Sequence, residues 1–234
     1  MIDFAFLSET FFTVIKGVPL TLELAAISVF LGAFLAFGLA LMRLSRIAVL
    51  DWSARAYVTV FRGTPLLVQI FLIYYGLGQF RAVRSSVLWP FLREPYWCAI
   101  LSLTLNTAAY ASEVFRGALQ SVPRGQIEAA RACGMSTALM WRRIVLPIAI
   151  RQALPGYGNE MVGMVKATSI TSLITIMEVS GLSADIISQT YRVVEVFIVA
   201  GIIYIAINLG LSGLLQLLDY RLSRHLRRPP NITV

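Results

Sequence analysis

The sequence predicts an all-α integral membrane protein. Composition carries part of that reading: of 234 residues, 58% are hydrophobic and only 14% charged, against roughly 45–50% and about 25% in a soluble domain. Pattern carries the rest. Five apolar stretches, residues 21–42, 55–77, 96–118, 155–177 and 196–218, each reach the ~20 residues a helix needs to cross a bilayer. The formal net charge of +8 would point to nucleic acid in a soluble chain, but in a membrane chain it is first a matter of orientation. Asp3 stands where a signal peptide would be positive, and no small-residue cleavage site comes after it, so no cleaved signal is predicted.

In the first span Ser28, Gly32, Ala36 and Ala40 recur every fourth residue, a small-residue seam suited to close helix packing. The second carries Arg62-Gly63-Thr64-Pro65, and Pro65 marks a break or re-start. The third hides a polar stripe: Ser102, Asn106, Tyr110, Glu113 and Gly117 share one helix face by their spacing. The fourth is the most polar, with Glu160, Lys166 and a run of Thr and Ser. The fifth has no charge, and Ala206, Asn208 and Gly210 give it a packed face. The chain therefore reads as one transmembrane domain over 1–220, with a polar insertion at 121–155, and a basic tail over 221–234.

Charge sets the predicted orientation. With the N-terminus outside, 14 of the 20 basic residues lie in segments facing the cytoplasm and five outside, Lys166 being within a span. That is the bias of positive charge toward the cytoplasm. The N-terminus is thus predicted to face out and the C-terminus the cytoplasm. Cys98 and Cys133 fall on opposite sides, which excludes a disulfide and leaves both as packing residues. The outer connection 178–195 mixes apolar and polar residues at helical spacing, predicting a short helix at the outer surface. Tyr96, Trp97 and Tyr220 read as interface anchors.

The insertion 121–155 reads as a helical hairpin. Residues 126–133 suit two helical turns, with Glu128 near the positive N-terminus. Gly134 supplies a stop, Ser136 an N-cap for a second helix to about residue 145, and Pro147 limits any helix beyond it. Ala129 and Ala130 would then form a low-relief surface for a soluble partner.

Glu128-Ala129-Ala130, with Gly134 four residues on and Ile144-Val145-Leu146-Pro147 beyond, resembles the EAA loop of binding-protein-dependent ABC importer permeases. Further stretches are similar to the polar amino acid branch: residues 61–69 around Arg62-Gly63-Thr64-Pro65, Leu105-Asn106-Thr107-Ala108-Ala109-Tyr110, and Gly158-Asn159-Glu160. Within it the chain looks most like M-type permeases for histidine, lysine, arginine and ornithine, or for octopine and nopaline. The resemblance implies a MetI-like fold in the bacterial inner membrane. It implies as partners a Q-type permease homologue or a second copy, two ATP-binding subunits, a periplasmic binding protein and membrane lipid. It also implies that Glu128, Ala129, Ala130, Gly134, Leu146 and Pro147 couple the chain to an ATPase.

The residues agree with that division of labour. No Gly-x-x-x-x-Gly-Lys-Ser/Thr loop is present and the only lysines, Lys16 and Lys166, do not follow a glycine. No cofactor is expected on this chain, ATP and Mg²⁺ belonging to the partner ATPase. The lone His225 sits in the basic tail without a second ligand or a nucleophile, so neither a metal site nor a catalytic triad is predicted. The chain is read as a transport subunit and not an enzyme. A secondary transporter and an intramembrane enzyme are the competing classes, opposed by the absence of an inverted repeat and of a catalytic set.

Ionisable groups inside the bilayer cost about 2.5–3.5 kcal/mol each on insertion scales, so each needs a partner or a wet cavity. Glu160 is the first candidate substrate contact, for the cationic end of a basic amino acid; a structural ion pair is its other reading. Met164, Ala167, Thr171 and Glu178 share its helix face, and Thr171 is a candidate with it. Asn106 and Tyr110 come next, on the stripe of the third span, Asn106 being either a contact or a packing amide. Glu113 is a candidate too, set against pairing with Arg116. Lys166 lies roughly 240° around the helix from Glu160 at about 100° per residue, and is assigned to pairing with another helix. Arg62 is assigned to anchoring the cytoplasmic end of its span, gating being its other reading.

Overall fold

The computed structural model describes residues 3–223 as helices and turns. The tail beyond Ser223, including His225, lies outside the described residues. The first helix, α1 (Phe4–Val14), is capped by Asp3, whose side chain accepts from Phe6 N–H. It passes through a 3₁₀ turn, Ile15–Gly17, into α2 (Val18–Leu44), with Pro19 in the first turn. The expected first span therefore starts too late: Phe4–Leu44 is one helical run. Pro19 does not stop it, because a helix's first turn needs no N–H from that residue.

The small-residue seam packs as read. Ser28, Gly32, Ala36 and Ala40 are all buried, and a Cβ at Gly32 would stand 2.0 Å from Thr107 Cγ2. The facing helix is α7 (Pro95–Gln120), whose Ser102, Leu103, Thr107, Ala108 and Ala111 are buried. Tyr96 Oη donates to Glu23 and fastens one end of this pair.

Between them lies the break expected at Pro65, but sharper than a kinked span. Helix α3 (Ala48–Gly63) and the helical run from Leu66 to Gln79 meet at 105°. The run opens with α4 (Leu66–Phe71) and continues through a π turn, Leu72–Gly76, and a 3₁₀ turn, Leu77–Gln79. Proline disfavours the α conformation in the residue before it, and Thr64 is extended, at φ −115° and ψ 142°. The carbonyls left open at the break are met by Gln69 Nε2, which donates to Phe61 O at 2.8 Å and Thr64 O at 3.0 Å. Two short helices, α5 (Arg81–Arg84) and α6 (Trp89–Leu92), complete the connection to α7.

After α7 come α8 (Arg124–Ala132) and α9 (Thr137–Met140). A π turn, Trp141–Val145, then feeds α10 (Leu146–Ala167) without interruption. The stop expected at Pro147 and the fresh span expected at 155 are both corrected. Pro147 falls in the first turn of α10 and Pro155 inside it, so α10 reaches from the hairpin into the apolar body. Seven residues of 3₁₀ helix come next, Thr168–Ile174, ending at Thr175 with φ 68°. Then α11 (Val179–Thr190) forms the short helix expected in the second connection, and α12 (Val193–Ser223) closes the described chain.

Among the described residues, Phe4–Leu44 and Val193–Arg221 are each long and apolar enough to cross a membrane. The α3–α4 run and the Thr137–Ile174 run with α11, bent by 46°, meet that test as pairs. Helix α7, which carries Asn106, Glu113 and Arg116, stands in the middle of the packing. One apolar cluster joins Leu24, Val29, Ile70, Cys98, Leu103, Met164, Val165 and Ile174 around it.

Candidate functional site

The break at Pro65 turns the end of α3 toward α7 and α10, and a cavity of about 530 Å³ opens where they meet. Its lining includes Arg62, Thr64, Pro65, Asn106, Tyr110, Glu160 and Gly163. Three of the five candidate contacts, Glu160, Asn106 and Tyr110, thus share one wall system. Asn106 Nδ2 donates to Gln69 Oε1 at 3.0 Å, which fixes the amide orientation and leaves its oxygen as an acceptor. Met164 and Ala167 line the cavity as their shared face with Glu160 predicts.

The other two candidates lie elsewhere. Thr171 is fully buried and its hydroxyl donates to Thr168 O at 2.7 Å, because the switch from α to 3₁₀ geometry rotates it off the Glu160 face. Glu113 is held by Arg43 and by Arg116, the latter at 2.8 Å, which favours the pairing reading. Arg43 also reaches Asp51 at 3.3 Å, and Asp51 reaches Arg55 at 2.7 Å, so the ends of α2, α3 and α7 share one ionic network. Glu178, expected on the same face as Glu160, lies elsewhere as well: it is fully buried and caps α11.

Arg62 is the residue the sequence reading assigned elsewhere. Its guanidinium lies 5.1 Å from the centroid of the Tyr110 ring, a cation–π contact inside the same cavity. The signal was available, since Arg62 directly precedes the Gly63-Thr64-Pro65 break. Opposite charges, Arg62 and Glu160, on the walls of one cavity with the Asn106 amide suit a ligand carrying both a carboxylate and a cation. Lys166 is exposed on the chain's surface and outside this lining.

The polar insertion has the expected hairpin shape at its turn. Gly134 sits at φ +72°, the left-handed conformation that favours glycine. Gly134 N–H bonds Arg131 O at 2.9 Å and Met135 N–H bonds Ala130 O at 3.1 Å, a helix-ending pattern. Ser136 Oγ accepts from Leu139 N–H at 3.3 Å as the cap of α9. Glu128 and Ala129 are exposed. Ala130 departs from expectation: it is buried against Met140, Val145 and Ala149, because the second arm folds back over that face of α8. A groove of about 350 Å³ runs past Gln126, Ala129, Cys133 and Ile144 with Ala130 at its lining. Cys133 is exposed there while Cys98 is buried, so the packing role expected for both holds for Cys98 alone. Leu146 and Pro147 lie in the first turn of α10, and Leu146 lines a separate apolar cavity with Phe37, Phe115 and Tyr157.

Comparison with known proteins places this architecture. The profile of the binding-protein-dependent transport system inner membrane component matches residues 6–224. The octopine transport system permease OccM of Rhizobium meliloti is 57% identical, over 98% of this chain and 95% of that protein. The nopaline transport system permease NocM of Agrobacterium fabrum is 56% identical, over 96% and 94%. The arginine permease ArtM of Escherichia coli is 46% identical, over 73% and 77%. Among solved structures, an amino acid ABC transporter crystallised with histidines superposes with a TM-score of 0.83 at 35% identity, covering 94% of this chain and 99% of that one. The methionine transporter MetNI, at 20% identity and a TM-score of 0.66, shares the fold. The chain belongs to the family of inner membrane components of binding-protein-dependent transport systems.

Proposed function

We propose that this chain is the permease subunit of an ATP-driven importer for a cationic amino acid or an arginine-derived opine. The observation that carries the substrate class is the cavity holding Arg62 and Glu160 with Asn106 and Tyr110. Arginine and its opines present a guanidinium at one end and carboxylate at the other. Glu160 receives the cation, Arg62 the carboxylate, and Asn106 supplies a further acceptor on the same wall system. The names of the relatives, for octopine, nopaline and arginine, support that chemistry.

The chain crosses a bacterial inner membrane five times in this reading: the Phe4–Leu44 run, the α3–α4 pair, α7, the run through α10, and α12. The N-terminus is periplasmic and the hairpin at 121–155 cytoplasmic. Two ATP-binding subunits, carrying ATP and Mg²⁺, dock on the hairpin at Glu128, Ala129 and Gly134. A Q-type homologue or a second copy completes the pathway, and a periplasmic binding protein delivers the substrate. The chain itself performs no hydrolysis and binds no nucleic acid.

Uptake in vesicles holding the assembled transporter tests the site. Glu160→Gln keeps the shape and removes the charge, so the KM for a cationic substrate rises about tenfold, roughly 1.4 kcal/mol, with the ATPase still bound. Unchanged KM would remove Glu160 from the pathway.

A further inference from the structure

Glu178 is a buried carboxylate that the transport cavity does not use. It is 0% exposed, and its partners among the described residues are hydroxyls and backbone N–H groups. Oε1 accepts from Ser180 N–H at 2.7 Å and Gly181 N–H at 3.0 Å, which caps α11. Oε2 accepts from Tyr204 Oη–H of α12 at 2.6 Å and from Thr21 Oγ1–H of α2 at 3.1 Å. Tyr204 and Ser180 hydroxyls are themselves 3.0 Å apart. Four donors from three elements converge on one carboxylate, which has lone pairs for all of them. A neutral amide there would turn its own N–H₂ against donors.

The backbone is built to allow this meeting. A Cβ at Gly17 would stand 2.6 Å from the carbonyl carbon of Glu178 and from Val179 N, so the turn before α2 touches the start of α11. Val14, Val179, Val199, Ala200 and Ile203 close an apolar cluster beside it. On the other side the chain is irregular. Seven residues of 3₁₀ helix exceed the usual three or four and are a geometry that recurs at hinges. Thr175, β-branched and at φ 68°, holds a backbone conformation that costs such a residue energy.

We propose that Glu178 is a positioning residue for transport, a carboxylate latch that fastens α11 to α2 and α12 as one body. The cavity-lining helix α10 then moves against that body at the 168–175 segment. This rests on the importer reading above for its motion, while the latch itself stands on the hydrogen bonds.

Spin-label distances in the complete transporter in liposomes, with Cys98 and Cys133 replaced by Ser, test it. Labels at Ala184 and Val194 report within the body, and labels at Leu173 and Ala184 report across the bend; all three positions are exposed. The 184–194 distance should stay constant between nucleotide-free and ATP-trapped states while 173–184 shifts. Glu178→Gln should broaden the 184–194 distribution and cut substrate moved per ATP about tenfold, the scale of losing hydrogen bonds to a charged group. Glu178→Asp, keeping the charge, should recover part of both. Tyr204→Phe removes only the tie to α12 and keeps the cap, so it should broaden 184–194 even if Glu178→Gln fails to assemble. A 184–194 distance that changes through the unmodified cycle, or a narrow one in both variants, overturns the latch. An unmodified complex with no ATP-dependent uptake would refute the importer reading instead, leaving the variant distances to judge the latch.

Discussion

At Gly32 two helices approach so closely that one hydrogen in place of a methyl decides the distance. A Cβ there would stand 2.0 Å from Thr107 Cγ2, far inside contact, and Thr107 is buried on the neighbouring helix. Overpacking of a tight interface costs about 1–3 kcal/mol. Gly32→Ala should lower the detergent-solubilised melting temperature accordingly. Thr107→Ser removes the offending methyl, so the double variant Gly32→Ala with Thr107→Ser should regain most of the loss. A melting temperature that Gly32→Ala leaves unmoved would mean the helices part at no cost. The seam was legible in the sequence because small residues every fourth position have few other uses in an apolar helix. The place of Arg62 in the cavity wall was signalled only by its position before the Gly63-Thr64-Pro65 break, since a charge at the end of a span reads as an anchor until the chain is seen to turn beside it.

The α3–α4 elbow shows why element boundaries were harder to read than elements. Hydropathy spans Pro65 smoothly and so predicts one span over 55–77, yet the chain bends by 105° there. Proline announces a break without its angle, which depends on what can satisfy the freed carbonyls. Gln69 does so from within the next turn, and its Oε1 also accepts from Asn106. Pro147 and Pro155 misled in the other direction, since α10 accommodates both. Helix α1 was not legible because its start lies in Asp3 and a weakly patterned apolar run, and the turn at Gly17 passes for a boundary. The elbow carries its own prediction. Gln69→Leu leaves two carbonyls and the Asn106 amide unpaired in a partly buried site, at about 1–3 kcal/mol. The KM for uptake should rise because Arg62 and Asn106 lose their registration, even though Gln69 is not among the lining residues of the cavity. Wild-type KM in that variant would show that the elbow holds its angle without the amide.

On the scale of the whole molecule, the cavity and the hairpin are joined by one helix. Helix α10 lines the first with Glu160 and Gly163 and leaves the second through the π turn at Trp141–Val145. A continuous helix between them is a lever by which a partner bound at Glu128 and Ala129 could displace a wall of the cavity. That lever works only if the hairpin faces the compartment that holds ATP, as the distribution of basic residues predicts and the two native cysteines can test. Cys133 is exposed one residue before Gly134, and Cys98 is buried in α7. A membrane-impermeant maleimide should therefore label Cys133 in inside-out vesicles and in neither case label Cys98. Right-side-out vesicles should stay unlabelled until permeabilised. Since the groove beside Cys133 is also lined by Ala129 and Ala130, an assembled ATPase should slow the labelling, and stripping it from the membrane should restore the rate. Labelling from the periplasmic side would reverse the orientation of the whole chain, and a rate indifferent to the ATPase would move the coupling contact away from this hairpin.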